Sequence, residues 1–262
     1  MFKIRPPIFN PAFKATESAV GTKERRQRQF AEREALLLEH ARELIRDNGL
    51  LNLQMSRLAE KAEYAVGTLY QHFASKEDLL LALTTAQTVE HVELFQRVAK
   101  WDADSRDRMF AIGVADSIFV RRHPDHFRIA QYALCEVVWR AASPDRREDF
   151  LDACRPIGEI VVGIVEDGVR DGDLTLQGQT SREVCTGMWA LSNGTHNLVH
   201  AEGVLEDFTA GDSYQLMCRH MQIMLNGYGW TPLVDPSDNK AVSALIERIK
   251  TEVFHDLCSQ AP

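Results

Sequence analysis

Residues that could do chemistry are scattered along this chain, and most lack the company that chemistry needs. His196 and His200 stand four apart, the spacing of two ligands on one helix face, with Cys218 and His220 further on. No HExxH accompanies them, and Glu202 is poorly placed to stand in for its glutamate, so polar residues at an interface are the better reading. His123 and His126 flank Pro124 and read as loop residues. The five cysteines (Cys135, Cys154, Cys185, Cys218 and Cys258) form no CxxC pair, which indicates buried thiols rather than a disulfide frame or zinc ribbon. No nucleophile motif, phosphate loop or framed carboxylate pair is present, so no enzyme activity, metal or cofactor is expected. What remains is a polar and aromatic display in "LAEKAEYAVGTLYQHFASKEDLL", Leu58 to Leu80.

The elements around that display explain it. Phe30, Leu37, Ala41, Leu44 and Ile45 recur at helical spacing from Lys23 onward, and Asn48-Gly49 supplies a stop. Gln54 to Ala62 is a short helix with Met55, Leu58, Ala59 and Ala62 on one face, and Ala65 to Phe73 is a second. Two turns of helix are unstable alone. Two short helices joined by a tight turn, with a third in front, make a helix-turn-helix, whose second member fills the major groove of DNA. Ser75 opens the next helix, with Glu77 and Asp78 complementing its dipole, and that helix runs to about Lys100.

Bulk properties set the frame. The chain has 262 residues and a net charge of −8, which argues against a basic coat. Yet Lys3, Arg5, Lys14, Lys23, Arg25, Arg26 and Arg28 crowd the first thirty positions against only Glu17 and Glu24. A basic end on an acidic body suits contact with phosphates at one end. No apolar run is long enough to span a bilayer, and Pro6, Pro7 and Asn10 break any signal-peptide core, so a cytoplasmic protein is expected.

Beyond Lys100 the pattern stays helical: Arg106 to Arg122, Asp125 to Arg140, Asp145 to Asp171 with a bend at Pro156, Thr180 to Ala201, Asp212 to Tyr228, and Asn239 to Leu257. No strand series appears. The expected fold is all-α: a flexible basic arm at 1–22, extended or disordered; a helix-turn-helix domain at 23–74; and a larger helical domain at 75–262.

Leu58-Ala59, with Gly67-Thr68-Leu69-Tyr70-Gln71-His72-Phe73-Ala74-Ser75-Lys76-Glu77-Asp78-Leu79, resembles the DNA-binding domain of the TetR family of bacterial transcriptional regulators. The resemblance spans about Arg25 to Leu83. It implies that Thr68 reaches phosphate or a base edge, that Gly67 admits the backbone close to phosphate, and that Tyr70 and Lys76 hold phosphates. It further implies that His72 faces the same strand or an outer base, that Gln54, Ser56 and Gln71 contact backbone or bases, and that Val66 meets a thymine methyl. Lys23, Arg25, Arg26 and Arg28 would precede the first helix and enter the minor groove or hold phosphates. Two departures stand out: Glu63-Tyr64 replaces the family's usual Gly-aliphatic turn, and Ala65 replaces its capping Ser.

For the body, the resemblance implies a four-helix dimer interface from Thr180–Ala201 and Asp212–Tyr228, with Met188, Leu191, Leu198, Met217, Met221 and Leu225 at the seam. An effector cavity would draw on Phe110, Phe119, Phe127, Tyr132, Trp139, Phe150 and Trp189. The expectation is a ligand-responsive repressor that binds a near-palindromic operator as a homodimer, with an unknown small effector of apolar character and no membrane partner. The alternatives are an activator or a DNA-binding regulator without a ligand and, more remotely, an all-α enzyme or scaffold carrying the head.

Overall fold

The computed structural model describes the backbone of residues 11–201, 203–205 and 211–258, with side chains from residue 21 onward. It is all-α among the described residues, and the chain divides between Lys76 and Glu77 into two compact units.

In the first unit α1 runs from Pro11 to Asn48. The helix starts at Pro11, not at Lys23, so the extended arm expected through residue 22 is corrected from Pro11 onward. The physical reason is local: proline suits the first helical position, and Ala12, Lys14, Ala15, Glu17 and Ala19 are compatible with helix. Residues 1–10, with Lys3 and Arg5, lie outside the described residues. Gly49, at φ 83°, ends the helix and donates its N–H to the Ile45 carbonyl at 2.8 Å. A single 3-10 turn, Leu50–Asn52, leads to α2 (Met55–Lys61) and α3 (Val66–His72). Leu37, Ala41, Ile45, Leu58, Leu69 and Phe73 are buried together in this small unit. Packing therefore supplies what two-turn helices lack in intrinsic stability.

The turn between α2 and α3, where Glu63 stands in place of glycine, holds a non-glycine residue in a left-handed conformation. Glu63 sits at φ 57°, a left-handed conformation that costs a residue with a Cβ about 1–2 kcal/mol. Replacing Glu63 by glycine is expected to stabilise the head by about 1 kcal/mol. Slower amide hydrogen exchange in α2 and α3 would register the gain, and unchanged exchange would remove the strain argument.

In the second unit α4 (Lys76–Ala99) leads to α5 (Ser105–Arg122), the most enclosed helix. It packs against α6 (Pro124–Ala133), α8 (Pro144–Asp171), α9 (Ser181–His200), α10 (Ser213–Gly227) and α11 (Asn239–Glu252). The segment expected as one helix at 125–140 is two: after α6 the chain turns extended at Cys135 (ψ 148°) and restarts as α7 (Glu136–Ala141). Neither proline nor glycine marks that break. α8 continues through Pro156 as one helix. α9 opens on a full capping box between Thr180 and Glu183. α11 lays Val242 and Ile249 on the core, and the chain ends in the short α12 (His255–Cys258).

Buried polar groups lock this unit. Arg106 is 1% exposed, and its guanidinium donates to the Trp230 carbonyl, to Gln222 Oε1 at 2.7 Å and to Asn226 Oδ1 at 2.9 Å. Trp230 Nε1 donates to Ser105 Oγ at 2.9 Å. Gly168 faces this pair: an added Cβ would lie 2.9 Å from Ser105 Oγ and 3.0 Å from the indole. Gly168→Ala is thus expected to destabilise by about 1–3 kcal/mol through overpacking. A thermal scan showing no loss would mean that the indole can shift.

Candidate nucleic-acid interface and ligand cavity

The head shows a polar face built on α2 and α3. Gln54, Ser56, Val66, Gly67, Tyr70 and Gln71 are exposed, and Thr68 is half-buried at the front of α3. No atom lies within 4 Å of where a Cβ on Gly67 would sit, so the fold itself does not require glycine there. The open space suits close approach by a partner's backbone. Lys76 Nζ lies 3.4 Å from the Leu51 carbonyl, which fixes the ammonium while leaving donors to spare. Ala65 precedes α3 with no side-chain cap, as its sequence implies. Arg57, which the sequence reading passed over, is exposed on α2 beside Ser56. Its basic type was the available signal.

Two expectations about this face are corrected. His72 does not face outward: it is 6% exposed and its ring stacks on Phe30 with centroids 3.9 Å apart. Its Nδ1 lies 3.6 Å from Glu34 Oε2. The last turn of α3 carries His72 onto the same side as Leu69, because three residues nearly complete one helical turn. His72 thus ties α3 to α1. Lys23, Arg25, Arg26 and Arg28 are exposed, but they stand within α1 rather than before it. They offer charge from a helix, not from a thread that could enter a groove.

The second unit contains a cavity of about 450 Å³. Met109, Ile112, Phe119, Phe127, Phe150, Ile157, Val161 and Met221 supply apolar wall, and exposed Leu134, Arg182, Trp189 and Asn193 also border it. Of the seven aromatics expected, Phe119, Phe127, Phe150 and Trp189 line it. Phe110 does not, being wholly buried in the core. Tyr132 is exposed on α6 outside the cavity wall. Trp139 stands behind the wall, edge-on to Phe150 at 5.8 Å.

The sequence reading missed the polar part of the wall. Asp116 Oδ2 accepts from Ser192 Oγ and from His196 Nε2, the latter at 2.9 Å. Asp116 Oδ1 lies 3.1 Å from His91 Nε2. Burial opposes the charged form of Asp116, but the His196 hydrogen bond and the adjoining His91 ring outweigh it and hold the carboxyl far below the usual range. His196 and His200 are therefore not a ligand pair: His196 serves Asp116, while His200 Nδ1 lies 2.9 Å from the His196 carbonyl. Among the described residues no group of three or more His, Cys, Asp or Glu could hold a metal ion. Cys154 and Cys185 also line the cavity, and burial pushes each thiol up to about 11. Protonated thiols are poor nucleophiles, so this chamber is built for binding.

The expected dimer seam is also corrected in part. Met188, Met217, Met221 and Leu225 are buried within the subunit, where Met188 and Met221 line the cavity. Leu191 is half-buried and Leu198 exposed.

The sequence profile of "Bacterial regulatory proteins, tetR family" matches residues 37–83, from the packed part of α1 into α4. The head belongs to the TetR family. Among curated proteins the chain is similar to the "Fatty acid metabolism regulator protein" of Bacillus subtilis (strain 168), 24% identical over 185 residues, covering 67% of this chain and 93% of the relative. A TetR-family regulatory protein from Rhodococcus RHA1 superposes with a TM-score of 0.56 at 19% identity, covering 76% of this chain and 98% of that one. The regulator FadR from Bacillus subtilis, solved in complex with stearoyl-CoA, gives 0.55 at 20% identity, covering 73% and 97%. These structures share the fold: a TetR-type head followed by a helical body. The protein is a DNA-binding transcriptional regulator. No described helix is long and apolar enough to cross a membrane.

The TetR-type head gives Gly67 a direct test. Gly67→Ala is expected to leave the fold intact and raise helix propensity by about 1 kcal/mol. It should still weaken DNA binding about tenfold, because the added methyl holds the backbone N–H away from phosphate. Equal affinity in a gel-shift titration would take Gly67 out of the interface.

Proposed function

We propose that this chain is a ligand-responsive repressor that binds a near-palindromic operator as a homodimer. The observation that carries the reading is the pairing, in one chain, of a TetR-type head with an exposed α3 front and a body holding a roomy apolar cavity. Thr68, Tyr70, Gln71 and Lys76 would hold and read DNA, with Gln54, Ser56, Arg57 and Val66 flanking. Lys23, Arg25, Arg26 and Arg28 would add phosphate contacts from α1.

The seam between subunits is redrawn from residues that the subunit leaves exposed or half-buried. Ala190, Leu191, Gly194 and Leu198 recur at helical spacing on α9, as do Leu216, Ile223 and Gly227 on α10. Small residues among them let helices approach closely, and a two-fold axis there would present two heads to two half-sites. The effector would enter beside Trp189 and Arg182. A relative that holds stearoyl-CoA makes an apolar chain a reasonable occupant for such a wall. The ligand would favour a state whose heads are wrongly spaced for adjacent major grooves, with a coupling of about 1–3 kcal/mol.

The test is a titration against the DNA upstream of the protein's own gene at about 50 and about 200 mM salt, with protection mapping. A protected near-palindrome with affinity falling steeply as salt rises is the expected result. Absence of protection at both salts would overturn the operator reading.

A further inference from the structure

The apolar wall of the cavity is interrupted at one place, where α4, α5 and α9 bring His91, Asp116, Ser192 and His196 together. Two of the four, His196 and Ser192, are fully engaged. His196 gives its Nε2–H to Asp116 and keeps Nδ1 to accept from the Tyr214 hydroxyl at 3.3 Å. Ser192 gives its O–H to the same carboxylate oxygen. His91 differs. Its Nε2 is 3.1 Å from Asp116 Oδ1 but makes no aligned hydrogen bond. The ring is nevertheless held, stacked on Phe119 at 4.2 Å and 3°, and edge-on to Phe95 at 4.7 Å. An under-used carboxylate oxygen and an under-used imidazole thus stand side by side on a rigid apolar wall.

That pair discriminates between head groups. A carboxylate brought here would lose its hydration and meet the Asp116 charge. A hydroxyl is both donor and acceptor, so it can give its proton to Asp116 Oδ1 and accept from the His91 ring, or give it to Nδ1. We propose that the cavity takes an uncharged amphiphile, an alcohol or phenol, whose hydroxyl docks on Asp116 and His91 while its apolar body lies along Phe127, Phe150 and Trp189. The inference rests on reading the cavity as the effector site and adds what the effector's polar end must be. A site built around a hydrogen-bonding substrate group rejects analogues that cannot satisfy it.

The experiment is displacement of Nile red from the full-length protein by decan-1-ol and by decanoate at about pH 7.5, where decanoate is ionised. Decan-1-ol is expected to bind about tenfold more tightly than decanoate, the scale of one charge-assisted hydrogen bond. Asp116→Asn removes the repelling charge and should bring the two probes close to parity, whereas His91→Phe should weaken decan-1-ol several-fold and leave decanoate little changed. His91→Phe keeps a ring against Phe119 and decides the matter if Asp116→Asn fails to fold. Equal or tighter binding of decanoate by the wild type, or undiminished decan-1-ol affinity in His91→Phe, would overturn the proposal while leaving the effector cavity standing. Failure of the wild type to take up Nile red or either probe would overturn the cavity reading, and the head-group assignment with it.

Discussion

Replacing Arg106 by alanine is expected to cost about 3–5 kcal/mol, the largest stability loss of any single change considered for this chain. The loss comes less from the missing attraction than from what is stranded. Gln222 Oε1, Asn226 Oδ1 and the Trp230 carbonyl all accept from this one guanidinium. Gln222 and Trp230 are themselves buried, so water cannot replace the donor without opening the junction of α5 and α10. Lysine should rescue little, because one ammonium on a flexible stem cannot serve three acceptors arranged for a planar fork. For a unit of this size the alanine variant should melt about 10 °C lower in a calorimetric scan. A drop equivalent to less than about 1 kcal/mol would show that the three acceptors find other donors.

The second large effect concerns DNA. Tyr70→Phe combined with Lys76→Ala should weaken operator binding about tenfold or more and reduce the dependence of log affinity on log salt by about 1. Tyr70 is 51% exposed, so losing its hydroxyl strands nothing inside the fold. Lys76 reaches only the Leu51 carbonyl at 3.4 Å, a contact too slight to hold the head together. Circular dichroism and the oligomeric state should therefore stay unchanged while affinity falls. If affinity and salt slope both survive, phosphate is held elsewhere.

The fold was legible in the sequence wherever local chemistry decides the chain's path. Asn48-Gly49 marks a stop because few other residues accept φ near 83°. Thr180 and Glu183 announce α9 because their side chains satisfy the N–H groups that a helix start leaves open. Glu63 was flagged by its type and is strained for the reason its type suggests. Legibility failed where a neighbour decides. Nothing local distinguishes Cys135 from a helix interior, so the break between α6 and α7 was invisible. α9 and α10 carry more than one apolar stripe, and periodicity cannot say which meets the subunit's own core. The methionines turned inward, leaving Leu198 and Ile223 outside. Asp116 gave no signal, since its partners lie 25 positions back in His91 and 80 positions ahead in His196.

The length of α1 has a mechanical consequence. Its 38 residues span about 57 Å at 1.5 Å per residue, whereas the part from Leu37 onward accounts for about 18 Å. The remainder is a lever, pinned close to its base where Phe30 and Glu34 meet His72. A flexible tether of the same residue count would spread its charges through a broad volume. A helix instead delivers Lys23, Arg25, Arg26 and Arg28 as a set at fixed spacing and in a fixed direction. Whatever that end meets, it meets with little loss of chain entropy. The pin at His72 also sits in the last turn of α3, so a displacement of the lever is transmitted mechanically to the reading helix.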